Sequence, residues 1–282
     1  MVNIHEPGPL EGRLDHWPVL ATFGALEVRL AETEAEVEAA QRLRYRVFYE
    51  EMAAIPSPAM REARRDFDHF DEFCDHLLVI DRERAEEDGQ PAVVGTYRLL
   101  REVDAKRAGG YYTASEFDLS PMLAHQPAGA NLLELGRSCV LKAYRSKPAT
   151  MQLLWRGLMV YLTRFSIDLM FGCASFSGTD PQALALPLSY LHHFHAMPEA
   201  MRVRAIPSQY VDMNLMAKDA VDPKEAIRAL PPMLKGYLRA GVFVGDGAVI
   251  DRQFHTTDVF IYCPMTSVDP RYKNRFRMHA VA

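Results

Sequence analysis

Residues Leu132 to Lys142 read Leu-Leu-Glu-Leu-Gly-Arg-Ser-Cys-Val-Leu-Lys, an apolar run of strand length that holds one acid and one base. Such a run predicts a strand buried on both faces, and a strand of that kind carries ionisable groups only where they are paired or used. Glu134 and Arg137 are therefore either a structural ion pair or part of a working site. Gly136 between them predicts a bulge or splayed backbone, where an N–H is freed to meet a ligand.

The neighbouring segments have to pack around this strand. Residues 1–24 are rich in Pro and Gly and read as an irregular arm. Gly24 to Leu30 alternates like a first strand, and Thr33-x-x-Glu36 is a capping box that predicts a helix from about Glu34 to Met52. Val37, Ala40, Leu43 and Val47 would form its apolar face, with Arg42, Arg44 and Arg46 on the other. Asp66-Phe-Asp-His-Phe-Asp-Glu reads as an acidic, aromatic loop, a mixture that often carries function. Leu77–Asp81 and Ala92–Leu100 read as a hairpin across a charged turn that contains Asp88-Gly89. Residues 101–131 read as a long connection, whose Tyr111, Tyr112 and Phe117 are suited to cover an apolar site.

After the central strand come a loop at Ala143–Ala149, a buried helix from about Thr150 and a short strand at Ala174–Ser177. Asp180-Pro181 then opens a further helix with Pro at its first position, ending near His192–His195. Val211–Met216 reads as a strand, Pro223–Leu238 as helix broken at Pro231-Pro232, and Val242–Tyr262 as two strands around Gly245-Asp-Gly247. The expected class is α/β, but not doubly wound, because strands cluster without intervening helices mid-chain.

Composition excludes some functions. A formal net charge of −5 argues against a general nucleic-acid binder. The N-terminus has no apolar signal core, so a cytoplasmic location is expected. Four scattered cysteines, Cys74, Cys139, Cys173 and Cys263, make no C-x-x-C pair and fit unpaired thiols in a reducing compartment. The longest apolar segment, Met151–Phe171, contains Arg156, Arg164 and Asp168, which suits a soluble core and not a bilayer.

Six motifs carry a family resemblance: Arg44-x-x-x-Phe48, Asp68-x-x-Asp71, Gly95-Thr-Tyr-Arg98-Leu, Glu134-Leu-Gly-Arg137, the run from Ser177 to His193, and Leu230-Pro-Pro-x-x-Lys235-Gly-Tyr-Leu-Arg-x-Gly241. With these the chain resembles the acyl-carrier-protein-dependent N-acyltransferases of the GNAT superfamily, most closely the bacterial L-ornithine N-acyltransferases. The first four are also similar to motifs of acyl-homoserine-lactone synthases. Two departures stand out. Ile55 and Pro56 occupy the place of a Trp in the lactone synthases, and Tyr144-Arg-Ser-Lys-Pro-Ala-Thr does not match the phosphate-cradling turn of coenzyme-A-using GNAT enzymes. The resemblance implies a GNAT-like N-acyltransferase fold over residues 25–200 with a C-terminal extension over residues 201–282. It implies transfer of a (3-hydroxy)fatty acyl group from acyl carrier protein to the α-amino group of L-ornithine, giving lyso-ornithine lipid. Acylation of another amine (lysine, glutamine or a homoserine-lactone precursor) is the alternative, as is a membrane-binding haemolysin-like protein.

Within that reading Glu134 is the expected base for the acceptor amine. Backbone N–H groups near Gly136–Cys139 would hold the oxyanion, so that Ser138, Cys139 and Val140 line the acyl group, with Cys139 as nucleophile the lesser alternative. Arg137 and Arg98 either fork onto the acceptor carboxylate or tie down Asp68 and Asp71, and those two acids either meet the ornithine side-chain ammonium or are simply solvated. Arg44 and Phe48, four apart on one helix, reach the same region. Lys142, Arg145 and Lys147 are expected to dock the acidic carrier protein. No cofactor is expected beyond the donor's phosphopantetheine thioester. No metal is expected either, since the spacing of His192, His193 and His195 is not H-E-x-x-H. The tail Arg271–His279, with basic and aromatic residues, is read as a contact with the anionic inner membrane, as a recruiting segment for acyl carrier protein or as a frayed end without a partner.

Overall fold

The computed structural model describes residues 19–85 and 91–268. Most of the N-terminal arm, the Asp88-Gly89 turn and the basic tail lie outside the described residues. Along the chain come β1 (Ala21–Phe23), β2 (Leu26–Leu30), α1 (Glu34–Tyr45), α2 (Pro58–Ala63), β3 (Asp75–Ala85), β4 (Pro91–Arg101), α3 (Glu102–Arg107), β5 (Phe117–Asp118) and α4 (Ser120–Ala124). There follow β6 (Leu132–Val140), α5 (Lys142–Arg145), α6 (Pro148–Arg164), β7 (Leu169–Ser177), α7 (Ala185–Phe194), β8 (Arg204–Ala205), α8 (Pro223–Ala229), α9 (Pro232–Ala240), β9 (Phe243–Asp251) and β10 (Thr256–Pro264).

Two compact units divide the chain, one made of residues up to Leu100 with Leu135–Ser166, the other of Arg101–Glu134 with the residues from Ile167. The division falls inside β6. The boundary expected near residue 200 lies within the second unit, because β10 pairs with β7 along its full length, from Thr256↔Ser177 to Pro264↔Leu169.

In the first unit the strand order is β1, β2, β3, β4, with the C-terminal part of β6 beside β4. The expected hairpin of β3 and β4 forms, antiparallel over Asp75↔Leu99 to Ala85↔Pro91. The alternation from Leu26 to Leu30 buries Leu26, Val28 and Leu30 on one face, while Gly24, at φ +59, turns the chain between β1 and β2. Helix α6 packs across β1, β2 and β3. Leu153, Leu154, Leu158, Tyr161 and Leu162 point into this core, and burying each Leu contributes about 2 kcal/mol. Gly157 permits the close approach, since a Cβ there would stand 2.6 Å from Val28 Cγ2. The helix begins at Pro148, in the favoured first position, and the expected loop before it contains the short α5.

Helix α1 starts where expected: Thr33 Oγ1 accepts the Glu36 N–H at 3.3 Å, although the Glu36 carboxylate takes the Glu32 N–H at 2.8 Å instead of completing the box. The helix does not continue as α to Met52. From Arg46 to Glu51 it widens to a π-helix. Arg44 precedes that stretch, four residues after the buried Ala40 in the same α-helix, and is 0% exposed instead of lying on the polar side.

The second unit orders its strands from the N-terminal residues of β6 through β7, β10, β9 and β8 to β5. Phe117, Leu132, Leu169, Phe171, Val249 and Phe260 are part of its core. Three sequence readings change here. Val211 makes only one bridge, to Ala248, and Val211–Met216 is not a strand. The turn between β9 and β10 falls at residues 252–255, while Gly245 and Gly247 lie inside β9. Gly247, at φ +79, leaves the space that the Tyr210 ring fills. Helix α7 starts at Ala185, so Pro181 does not occupy its first turn. The break at Pro231-Pro232 separates α8 from α9 as expected. None of the four cysteines forms a disulfide among the described residues. No helix among the described residues is long and apolar enough to cross a membrane.

Candidate functional site

Strand β6 contributes residues to both units, and its burial changes along its length. Leu132, Leu133 and Glu134 are buried, residues 135–138 are partly exposed, and Cys139 and Val140 are buried again. The parallel ladder with β7 covers three pairs, Leu132↔Leu169 to Glu134↔Phe171. Beyond Glu134 the register ends, and Arg137, not Gly136, takes the left-handed conformation at φ +53. A bulky residue held there marks backbone strain at the expected bulge, displaced by one position.

In the second unit Glu134 is 4% exposed. Its carboxylate is held by the first amides of a 3-10 turn, the Tyr112 N–H donating to Oε2 at 3.0 Å and the Thr113 N–H to Oε1 at 2.7 Å. Both carboxylate oxygens are thus oriented by backbone donors, which fixes the side chain in place. Tyr111 stacks edge-on against Phe171, the residue opposite Glu134 in the ladder, at 4.8 Å between ring centroids. Tyr112 thus fixes an acid where sequence reasoning placed a cover, and Thr113 was not anticipated. A backbone donor leaves no trace in side-chain identity.

In the first unit Arg44 is the hub of a buried ionic network. Its Nε donates to Asp66 Oδ2 at 2.7 Å, and its terminal nitrogens donate to Asp71 at 2.9 and 2.8 Å and to the Asp66 carbonyl at 2.6 Å. Tyr49 donates to Asp66 Oδ1 at 2.9 Å. Arg98 reaches Asp68 at 2.7 Å and Asp71 at 3.3 Å. Arg137 lies 3.4 Å from both Asp66 and Asp68. Asp68 and Asp71 also form a reciprocal capping box on the turn His69–Glu72. Arg44, Asp68, Asp71, Arg98 and Arg137 therefore meet as the sequence grouped them. The added members are Asp66, quoted within the acidic loop, and Tyr49, which carried no signal of its own. Phe48 is only partly buried, not core.

Burial alone would raise the Asp66 and Asp71 carboxyls, but Arg44 and its neighbours outweigh it and hold both below the ordinary range. His76, whose Nε2 meets the Asp71 carbonyl at 3.1 Å, is held down to about 4 by burial and then by repulsion from Arg44. The unfolded chain binds protons more readily at all three groups, so their contribution to stability falls as pH falls. For His76 it is complete above its ordinary value of 6.5 and is lost as pH drops through 4, a change on the order of 3 kcal/mol. Urea midpoints should fall between pH 6.5 and 4, and His76→Gln should flatten that slope. An unchanged slope in the variant would assign the pH dependence elsewhere.

Cys139 is a poor nucleophile here, since burial pushes its thiol up to about 12. Ser138 and Val140 flank it on β6. Lys142, Arg145 and Lys147 are exposed. Arg145 nonetheless pairs with Glu51 and donates to the Val140 carbonyl at 2.8 Å, and Lys147 lies over the Tyr144 ring at 4.1 Å. At the end of α7, His193 meets the Met216 carbonyl at 2.8 Å, the His192 ring stands 5.0 Å from that of His193, and His195 packs on Tyr190.

Comparison with known proteins places this geometry in context. The acetyltransferase (GNAT) domain family matches residues 43–156. The L-ornithine N(alpha)-acyltransferase of Rhizobium meliloti (strain 1021) is 49% identical over 258 residues, 92% of this chain and 86% of the relative. That of Brucella abortus (strain 2308) is 50% identical over 254 residues, 90% of this chain and 89% of the relative. Among solved structures, the AHL synthase LasI aligns with a TM-score of 0.48 at 13% identity, over 91% of this chain and 97% of that one. FeeM, an N-acyl amino acid synthase from uncultured soil microbes, aligns with 0.47 at 12%, over 86% and 91%.

Proposed function

The chain belongs to the L-ornithine N(alpha)-acyltransferase family, and from that premise we propose that it moves a (3-hydroxy)fatty acyl group from acyl carrier protein to the α-amino group of L-ornithine. The likeness over about nine-tenths of the chain carries this reading. Its fold is the α/β GNAT-like N-acyltransferase fold.

The chemistry requires a neutral amine, a stabilised oxyanion and a thiol exit. Glu134 takes a proton from the acceptor ammonium, directly or through one water. The amine lone pair then attacks the thioester carbonyl carbon. Backbone N–H groups of Gly136–Cys139, past the end of the β7 ladder, hold the oxyanion. Collapse breaks the C–S bond, the adduct nitrogen gives up its second proton, the phosphopantetheine sulfur takes up one proton and leaves as a thiol, and Glu134 releases the other to solvent. No acyl-enzyme is needed. Arg137, whose side chain is 13% exposed against 0% for Arg44 and 4% for Arg98, is the member of the ionic network assigned to the acceptor carboxylate.

The product pairs a fatty chain with a charged head, which suits an enzyme working at the cytoplasmic face of a membrane. The test is acyl transfer by purified protein with the product identified by mass spectrometry. Acyl carrier protein should be used with a kcat/KM about tenfold or more above that of acyl-coenzyme A, and added salt should erode the difference. Lys142→Glu combined with Lys147→Glu should weaken use of the carrier protein alone. Equal efficiency with both donors would refute the carrier-protein assignment, and acylation of a different amine would refute ornithine.

A further inference from the structure

The second unit holds another set of acids, on the sheet face that carries Glu134. Phe171 is opposite Glu134 in the β6–β7 ladder, and Cys173 follows it by two residues on the same face. The β7–β10 register pairs Cys173 with Phe260, Ser175 with Asp258 and Ser177 with Thr256. In the β9–β10 register Thr256 is opposite Asp251. Cys173, Asp258, Thr256 and Asp251 therefore share one face. Glu116, just before β5, reaches over this face, and its Oε2 accepts the Cys173 thiol at 3.3 Å. One oxygen from each of Glu116, Asp251 and Asp258 lies within 4.8 Å of the others, with Glu116 and Asp258 buried.

A separate observation marks the cluster as a receiving site. Thr256 is 8% exposed, and its hydroxyl has no hydrogen-bond partner among the described residues. The register sets it between Asp251, across the ladder, and Asp258, two residues on. Three acids this close repel one another unless they meet a cation or share protons. The Cys173 thiol between the strands is pushed well up by burial and then by the charges of Glu116 and Asp258, so it stays a neutral donor in a negative field.

Thr113 links this cluster to the proposed base. Its N–H bonds Glu134 at 2.7 Å, and its hydroxyl oxygen lies 3.9 Å from the Cys173 sulfur that contacts Glu116. The acids thus begin two side chains away from Glu134. The two nitrogens of an extended ornithine are about 6 Å apart, so its amine and its ammonium need separate partners. We propose that Glu116, Asp251 and Asp258, with the Thr256 hydroxyl, receive the side-chain ammonium of the acceptor and so select a diamino acid. This rests on the assignment of ornithine as acceptor. It replaces Asp68 and Asp71 in that role, because Arg44 and Arg98 already pair with Asp66, Asp68 and Asp71.

The test compares L-ornithine with L-norvaline, the same amino acid without the terminal amine. For Asp258→Asn and Glu116→Gln the KM for ornithine should rise about tenfold or more with a small change in kcat, while kcat/KM for norvaline holds or improves. Thr256→Val, the mildest change, should move ornithine in the same direction and serves if the acid variants fold poorly. Equilibrium binding of the two amino acids to the full chain gives a readout independent of turnover. Wild type should bind ornithine over norvaline, and the variants should lose the preference. If that binding preference is present but another amine is acylated, the subsite stands and the proposed reaction fails. Equal losses on both acceptors would overturn the subsite. So would ornithine turnover abolished by EDTA and restored by magnesium or calcium, which would assign the acids to a metal ion.

Discussion

Glu134→Gln is expected to lower kcat for ornithine acylation by about 100- to 10,000-fold, the range spanned by a positioned general base. The substitution keeps the side-chain volume, but the geometry makes it less innocent than the sequence suggests. The Glu134 carboxylate accepts two backbone N–H bonds, and a Gln has one oxygen to offer. Its amide group must face the Tyr112 or Thr113 N–H as donor against donor, at a local cost of about 1–3 kcal/mol. Thermal midpoints should therefore drop modestly while activity nearly vanishes. The pH profile separates the two effects. With the base gone, kcat/KM should climb with pH as more acceptor amine is neutral, whereas damage to the Tyr112–Ser115 turn would lower the rate equally at every pH. A rate within a few-fold of wild type at neutral pH would remove Glu134 from the mechanism.

Arg44→Met should be the most destabilising single change in the first unit, at about 3–5 kcal/mol. Its side chain has no solvent exposure and serves Asp66 and Asp71 together, so its removal leaves two buried acids with a missing counter-charge. Arg98 and Arg137 remain near them, but neither repeats the fork from Nε and both terminal nitrogens. Arg44→Lys should recover only part of the loss, because one ammonium cannot supply that fork. Urea denaturation monitored by circular dichroism measures the change, and a loss under about 1 kcal/mol would show that the remaining arginines suffice.

The network also bears on the two basic residues read from β6 and β4. Arg98 and Arg137 were open to two roles, binding a substrate carboxylate or restraining Asp68 and Asp71. The distances commit Arg98 to the acids at 2.7 and 3.3 Å. Arg137 stands 3.4 Å from Asp66 and Asp68 at a strained backbone position, and its substrate role is a proposal.

Local pattern by itself determined much of this protein. The apolar run at β6, the alternation of β2, the β3–β4 hairpin and the break at Pro231-Pro232 were legible because each depends on side-chain periodicity or proline geometry within a few residues. The motifs from Arg44 to Arg137 indicated the family and named most of the ionic network. Tertiary structure alone decided what the Arg44 guanidinium meets, since Asp66 and Asp71 reach it from a loop more than twenty residues further along the chain. It decided that Tyr112 and Thr113 hold Glu134, because backbone amides carry no sequence signature. It also gathered Glu116, Asp251 and Asp258, which are separated by more than a hundred residues in the chain between the first and the second. Strand register brings them to one face, and register is a long-range property that pairs β10 with β7 and β9 without any mark in the residues between them.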